Sequence, residues 1–237
     1  MARFRAVVFD LFGTLIETAP FEEYAAMTRR MADVLGMDAE AFHREWLESR
    51  PDRINGSIPS LRENFNLIAE RLGTPPPSGE AAAKAQAENE NYLRPILMRA
   101  KPDALDTLAE LKRRGLRLGL LSDCYRTTAK LWPQTPMAPY FDAAVFSCEA
   151  GHRKPASELY RLISERLGTA PPEILYAGDG GGNEMNGAAR AGMTAVLVEN
   201  ALPDAFLPES HHDGASHRVG SLHAILHLVE GETPPGL

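Results

Sequence analysis

The segment Arg5-Ala6-Val7-Val8-Phe9-Asp10-Leu11-Phe12-Gly13-Thr14-Leu15 constrains this chain more than any other. An unbroken apolar run of this kind, without polar alternation, suits a strand buried on both faces, as in parallel sheets covered by helices. The run ends in a carboxylate. An ionised group cannot be left in such a core without a partner, so Asp10 has to stand at the strand's exit, where solvent or a ligand can reach it. In open parallel sheets ligands gather in the crevice beyond the carboxyl ends of the strands, which makes that exit the first place to look for chemistry. Gly13 permits a sharp turn and Thr14 adds a hydroxyl. Taken alone, Asp10 is either a turn or helix-capping aspartate or the first residue of a site.

Beyond this segment the pattern turns helical and stays so across residues 17–99. The spacing of Tyr24, Met27, Met31, Val34 and Leu35 predicts a helix over Phe21–Leu35 stopped by Gly36, and Phe42, Trp46 and Leu47 predict another over Asp38–Glu48. Pro51 and Asn55-Gly56 predict a loop. Leu61, Phe65, Ile68 and Leu72 mark a third helix ending at Gly73, and the Ala-rich stretch Glu80–Tyr92 a fourth, after a proline run that cannot be helical. From Pro102 onward helices and strands alternate, with strands expected at Leu116–Leu121, Ala143–Ser147, Ile174–Ala177 and Thr194–Val198 and a short sixth at Arg218-Val219. The intervening helices are a segment with Leu105, Leu108 and Leu111 on its core face, Ser157–Leu167, and a terminal one over Ser221–Val229. That alternation is the signature of an α/β fold, a doubly wound parallel sheet with right-handed crossovers. The expected division is a core of residues 1–16 and 100–237 and a four-helix insert of residues 17–99.

Asp10, Ser122, Lys154 and Asp179 all fall at or just beyond strand ends. Ser122 and Asp123 close a strand; Lys154 precedes Pro155 in Gly151-His152-Arg153-Lys154-Pro155; Asp179 opens the turn Gly178-Asp179-Gly180-Gly181-Gly182-Asn183-Glu184. Successive glycines disfavour helix and strand and let a backbone approach a ligand or metal closely. The fingerprints of dinucleotide-binding and Walker-type loops are absent.

Phe9-Asp10-Leu11-Phe12-Gly13-Thr14-Leu15, with these later segments in this order, resembles the motifs of the haloacid dehalogenase superfamily of hydrolases. The resemblance covers nearly the whole chain and implies a Rossmann-like core with a helical cap inserted after the first motif. It implies that Asp10 is the nucleophile, that Ser122 and Lys154 complete the catalytic set, and that Thr14, Ser122, Asp123 and Lys154 bind the substrate. It also implies a magnesium ion held by Asp10, Phe12, Asp179 and Glu184, with Glu184 standing where the family usually has Asp. Phosphatases of the superfamily carry a second Asp two residues after the nucleophile, as general acid and base. Here that position is Phe12, which can do neither, and such assistance is worth about 10²–10⁴ in rate. Haloacid dehalogenases place an aromatic residue there but lack the metal-binding Asp that this chain keeps as Asp179. The branch that cleaves phosphonates uses a cap lysine, and Lys84 is the only lysine of this insert.

Three functions are therefore open: a magnesium-dependent hydrolase of small phosphorylated or activated metabolites, a metal-independent carbon-centred hydrolase of the 2-haloacid dehalogenase type, and a non-catalytic binding protein on the same fold. The formal net charge of −7 argues against non-specific nucleic-acid binding, so the expected partner is a small anionic molecule that local basic groups must meet. No apolar stretch approaches bilayer length, and the first strand starts too early to leave room for a signal peptide, so a soluble cytoplasmic protein is expected, monomer or homodimer. Cys124 and Cys148 are too few for a disulfide framework and read as free thiols, and His211, His212 and Asp213 as a solvated patch.

Overall fold

In the computed structural model, which describes residues 4–199 and 213–231, the segment Ala6–Phe9 forms the strand β1, buried at all four positions. It pairs in parallel with β2 (Arg117–Ser122) on one side and β4 (Ile174–Gly178) on the other, Phe9 standing opposite both Leu120 and Ala177. With β3 (Ala143–Phe146), β5 (Thr194–Val198) and β6 (His217–Val219) the order is β3-β2-β1-β4-β5-β6, parallel throughout. The order reverses between β1 and β4, and at that switch point the strand ends open a crevice.

Because side chains alternate across a strand, the sheet buries two separate layers. Val7, Phe9, Leu118, Leu120 and Leu175 enter one cluster with Leu108 and Leu111 of α6 (Ala104–Arg113). Ala6, Val8, Leu121 and Tyr176 enter the other, against the face of a later helix, Ser157–Leu167, that carries Leu159, Ile163 and Leu167. This helix packs so closely on β2 that a Cβ at Gly119 would lie 2.9 Å from Leu167 Cδ1. A strand glycine here marks close helix–sheet contact.

The insert holds five helices rather than the four expected: α1 (Phe21–Leu35), α2 (Ala39–Glu48), α3 (Arg50–Ile54), α4 (Leu61–Arg71) and α5 (Gly79–Leu97). Pro51 sits in the first turn of α3, where its missing N–H has no intrahelical partner to lose, so a residue that predicts a loop is tolerated in a short helix. The fourth expected helix also runs past Tyr92 and through Pro95, since Leu93 and Leu97 are buried against the sheet-side cluster and hold the last turns in place. Asp38, Ser60 and Ser78 cap three of the helices by accepting from the N–H groups of Ala41, Glu63 and Ala81. Met27, Met31, Phe42, Trp46, Phe65 and Ile68 form the insert's own core. The chain leaves and re-enters the sheet side by side, through an antiparallel bridge between Ile16 and Ala100.

The remaining helices are α7 (Arg126–Leu131), α8 (Ser147–Ala150), α9 (Ser157–Leu167), α10 (Glu184–Arg190) and α11 (Ile225–Glu230). Ser147 opens α8 instead of ending β3, because its hydroxyl exchanges hydrogen bonds with the Cys124 backbone. The terminal helix begins at Ile225, after a turn over 221–224. Cys124 and Cys148 are free and buried. Among the described residues no helix is long and apolar enough to cross a membrane. His211 and His212 lie outside the described residues.

Phe65 is fully buried between Phe42 and Trp46, with ring centroids 6.3 and 6.2 Å away. Phe65→Ala is expected to lower unfolding stability by about 3–5 kcal/mol, the cost of emptying a closed aromatic site, measured from the urea midpoint at constant slope. A change of only about 0.5 kcal/mol, typical of surface substitutions, would contradict this packing.

Candidate active site

Asp10 follows β1 at the reversal of the sheet, its backbone N–H still donating to Ala177 O (2.9 Å), so this residue is an extension of the ladder and not a free loop. It is 6 % exposed, and its Oδ2 accepts from the Thr14 hydroxyl at 3.3 Å. The turn between them is fastened from outside: Lys101, on the strand-like return from the insert, donates its backbone N–H to Leu15 O (2.8 Å) and its Nζ to Gly13 O (2.6 Å).

On the other side of the reversal, Asp179 follows β4 and accepts from the Gly181 N–H at 3.0 Å. Glu184, first residue of α10, is fully buried and turned back toward the strand. Its Oε1 accepts from the Gly180 N–H (2.9 Å), and its Oε2 from the Tyr176 hydroxyl (2.6 Å) and Lys154 Nζ (2.5 Å). Gly178 makes room for this: a Cβ there would lie 2.0 Å from Glu184 Oε1.

Lys154 joins the two sides. Its Nζ also donates to Asp10 Oδ1 at 2.5 Å, and its backbone N–H to Asp123 Oδ1 at 3.1 Å, so the loop that brings in the ammonium is anchored to the end of β2. Burial alone would push the Lys154 ammonium toward losing its proton, but the carboxylates of Asp10 and Glu184 outweigh it and hold its pKa well above the usual lysine range. Burial raises Asp10 well above the usual carboxylate range; Lys154 opposes that, and Glu184 and Asp179 add to it. Asp179 is pushed up to about 6, first by burial and then by Glu184. Asp123 is also raised by burial.

The cluster is therefore short of positive charge, three carboxylates against one ammonium. Asp10, Asp179 and Glu184 each offer an oxygen within 4.8 Å of the others, the hard-donor set that a magnesium ion takes. Asp10 and Asp179 keep oxygen lone pairs for such an ion. Both oxygens of Glu184 are already engaged by three donors, which fits an acid that holds Lys154 and adds negative charge beside Asp10 and Asp179. Phe12 lines the cavity above and has only its main-chain carbonyl to offer a cation.

The fold thus gathers Asp10, Thr14, Lys154, Asp179 and Glu184, with Asp123 at the rim; Ser122 stands fully buried at the end of β2. A cavity of about 310 Å³ opens over Asp10, and the insert closes it with Tyr24, Leu47, Arg50, Ile54, Tyr92 and Ile96. Lys84 takes no part, being exposed and paired with Glu80 at 2.8 Å, so no cap lysine reaches the site among the described residues. Arg153, assigned no role from its motif, lines the cavity too. Tyr176 and Lys101 are absent from the expected set. Tyr176 looks like any core aromatic of a strand, and Lys101 has no motif around it.

A family model described as haloacid dehalogenase-like hydrolase matches residues 4–192. Among curated proteins, the glyceraldehyde 3-phosphate phosphatase of Methanopyrus kandleri is 25% identical over 232 residues, covering 95% of this chain and 97% of its own. The phosphoglycolate phosphatase of Escherichia coli O157:H7 is 27% identical over 205 residues, covering 81% of this chain and 80% of its own. Among solved structures, a HAD phosphatase from Thermococcus onnurineus superposes with a TM-score of 0.67 at 21% identity, covering 97% of this chain and 99% of the other.

Gly178→Ala is expected to drive the Glu184 carboxylate from its seat, since the new methyl would occupy the position of Oε1. Turnover should fall by about 10²-fold or more, as expected when a displaced group misplaces the reacting centre. The far-ultraviolet circular dichroism should stay that of the parent. Full activity in folded Gly178→Ala would show that Glu184 does not need this position.

Proposed function

This chain belongs to the haloacid dehalogenase-like hydrolases, and on that premise we propose that it is a magnesium-dependent phosphatase of small phosphorylated metabolites that works through Asp10. The observation that carries this reading is the meeting of Asp10, Asp179 and Glu184 around Lys154 at the reversal point of the sheet. The names of the two phosphatase relatives support it. In this reading residues 17–99 are the cap and residues 1–16 with 100–237 the catalytic core.

Asp10 attacks phosphorus with a carboxylate oxygen, the bond to the leaving oxygen breaks, and water then cleaves the aspartyl phosphate to free Asp10 and phosphate. Lys154 opposes the effect of burial on the Asp10 carboxyl and lies where the phosphoryl oxygens gather charge. Thr14 steers the second Asp10 oxygen, and Asp123 lines the cavity beyond the end of β2, with Ser122 buried behind it. Held by Asp10, Asp179 and the Phe12 carbonyl, with Glu184 behind, magnesium would neutralise phosphoryl charge. The insert keeps bulk water out of the cavity.

Phe12 favours the carbon-centred alternative, because it leaves the departing group without a proton donor. The acidic cluster around Asp179 favours the phosphatase. Both features are met by a phosphatase whose substrates leave as weak bases: a carboxylate, whose acid has a pKa of about 4, departs unprotonated where an alkoxide does not.

Asp10→Asn is expected to abolish turnover of every substrate the parent accepts, measured at a temperature where circular dichroism shows both proteins folded, since it also removes one charge partner of buried Lys154. Activity within about tenfold of the parent would remove Asp10 from the nucleophile role, and turnover by neither protein would favour a binding protein. Phe12→Asp would place a carboxylate in the cavity lining. It is expected to raise alkyl phosphate hydrolysis more than acyl phosphate hydrolysis, compared at a temperature where both proteins are folded. Hydrolysis of 2-haloacids in chelator faster than of any phosphate in magnesium would replace this reading with the dehalogenase one.

A further inference from the structure

In the parallel register of β2 and β3, Ser122 stands opposite Phe146. Two residues beyond each of them lie Cys124 and Cys148, the chain's only cysteines. Neighbouring strands run about 4.8 Å apart, and these two exits stay together. The Ser147 hydroxyl accepts from the Cys124 N–H at 2.9 Å and donates to the Cys124 carbonyl at 3.2 Å. Both cysteine side chains are buried in the same apolar cluster, on one side of the sheet, and the Cys124 S–H donates to the Cys148 sulfur. A disulfide needs Cα atoms about 4.4–6.8 Å apart, the separation that adjacent exits of a paired register supply.

The pair is reachable from solvent. Cys124 forms part of the lining of the cavity over Asp10, so a molecule as small as hydrogen peroxide meets the sulfurs by the path a substrate takes. The hydrogen bond from Cys124 holds the Cys148 thiol below the usual thiol range, while burial pushes Cys124 well above it. Cys148 is thus the readier thiolate, with a second thiol beside it to resolve an oxidised sulfur.

Both cysteines are also tied to the working parts of the molecule. Asp123, the residue before Cys124, accepts from the Lys154 backbone N–H at 3.1 Å. The Cys148 carbonyl lies so close to Gly56 of the insert that a Cβ there would be 2.3 Å from its oxygen. Closing a bridge draws the sulfurs to about 2.05 Å, and that movement falls on these two segments.

We propose that Cys124 and Cys148 are a modification site, a dithiol that a small hydroperoxide closes reversibly to an intramolecular disulfide, with loss of turnover. The Cys148 thiolate attacks a peroxide oxygen: the S–O bond forms, the O–O bond breaks, and the departing hydroxide takes up a proton to leave as water. The Cys124 sulfur then attacks the sulfenic sulfur of Cys148. The S–S bond forms, the S–O bond breaks, and the second hydroxide leaves as water with the Cys124 proton. Two thiols are oxidised and one peroxide is reduced; an added dithiol reverses the bridge by exchange. The bridge stands apart from the phosphatase reading, and its effect on turnover rests on it.

The full chain, reduced and freed of reductant, is treated with hydrogen peroxide, and its thiols are titrated after denaturation. They are expected to fall together from two per chain to none, at a rate independent of protein concentration, and to return with dithiothreitol. Trypsin cuts after Arg126 and Lys130, between the cysteines, so mass spectrometry of the unreduced digest should show their two peptides joined with loss of two hydrogens. These readings need no variant. Cys124→Ala, without the resolving thiol, should leave a dimedone-reactive sulfenic acid on Cys148. Turnover of an aryl phosphate in magnesium should fall at least about tenfold as the parent's bridge forms and recover with dithiothreitol, as expected when the Lys154 loop is displaced. Peroxide-treated Cys148→Ser should keep the turnover that it had before treatment. Thiols that stay reduced while free cysteine in the same solution is consumed, that pass to sulfinic acid unbridged, or that bridge only between chains overturn the site. A bridge that leaves turnover unchanged overturns its control of the reaction. Absence of turnover before oxidation overturns the phosphatase reading instead, and the thiol count and the digest still decide the site.

Discussion

The contact on which the site depends is the ammonium of Lys154 held at 2.5 Å from both Asp10 and Glu184. Withdrawing a charge from water costs several kcal/mol per ion even after relaxation, and removing one partner of such a group leaves the others uncompensated. That cost explains how much of the surrounding structure serves these three side chains. Tyr176 and the Gly180 N–H fill the remaining acceptor sites of Glu184, Gly178 gives up its side chain to make space, and Asp123 fixes the backbone of the lysine's loop. The surplus of carboxylates over ammonium is what invites a hard cation.

The parallel register sets the positions. Because Phe9 pairs with Ala177, the residues after them, Asp10 and Gly178, emerge side by side at the reversal of strand order. Two loops that diverge from that point leave a crevice, and a chain segment inserted just after the first can be folded over it. The bridge from Ile16 to Ala100 and the two hydrogen bonds of Lys101 make that insertion a short, tied crossing, so the wall that carries Arg50 is referenced to the turn that carries Asp10. Lys101 also opposes the rise of the Asp179 pKa, after the larger effects of burial and Glu184.

Phe12 puts an aromatic ring into the cavity wall without disturbing the fold. It faces the cavity and packs against the sheet-side cluster, so its ring contributes apolar contact where an acid would contribute a proton. The cavity gains an unreactive wall, and in the proposed reaction the burden of departure moves to the leaving group.

Much of this was legible in the sequence because it is local. The apolar run of β1, the helical spacing of Phe21–Leu35 and Ser157–Leu167, and the glycines around Asp179 each declare themselves within a few residues, and their order places Asp10, Ser122, Lys154 and Asp179 at strand ends. The short helix α3 escaped notice because five residues are too few to show a period, and its proline argues for a loop. Tyr176, Lys101 and Arg50 belong to the structure alone. Tyr176 is distinguished from other core aromatics only by the hydroxyl it turns to Glu184, Lys101 meets Gly13 across 88 positions of chain, and Arg50 comes to line the cavity only when the insert packs over the strand ends. Local pattern decides which segments become strands and helices; which distant charges are brought together is decided when those segments pack.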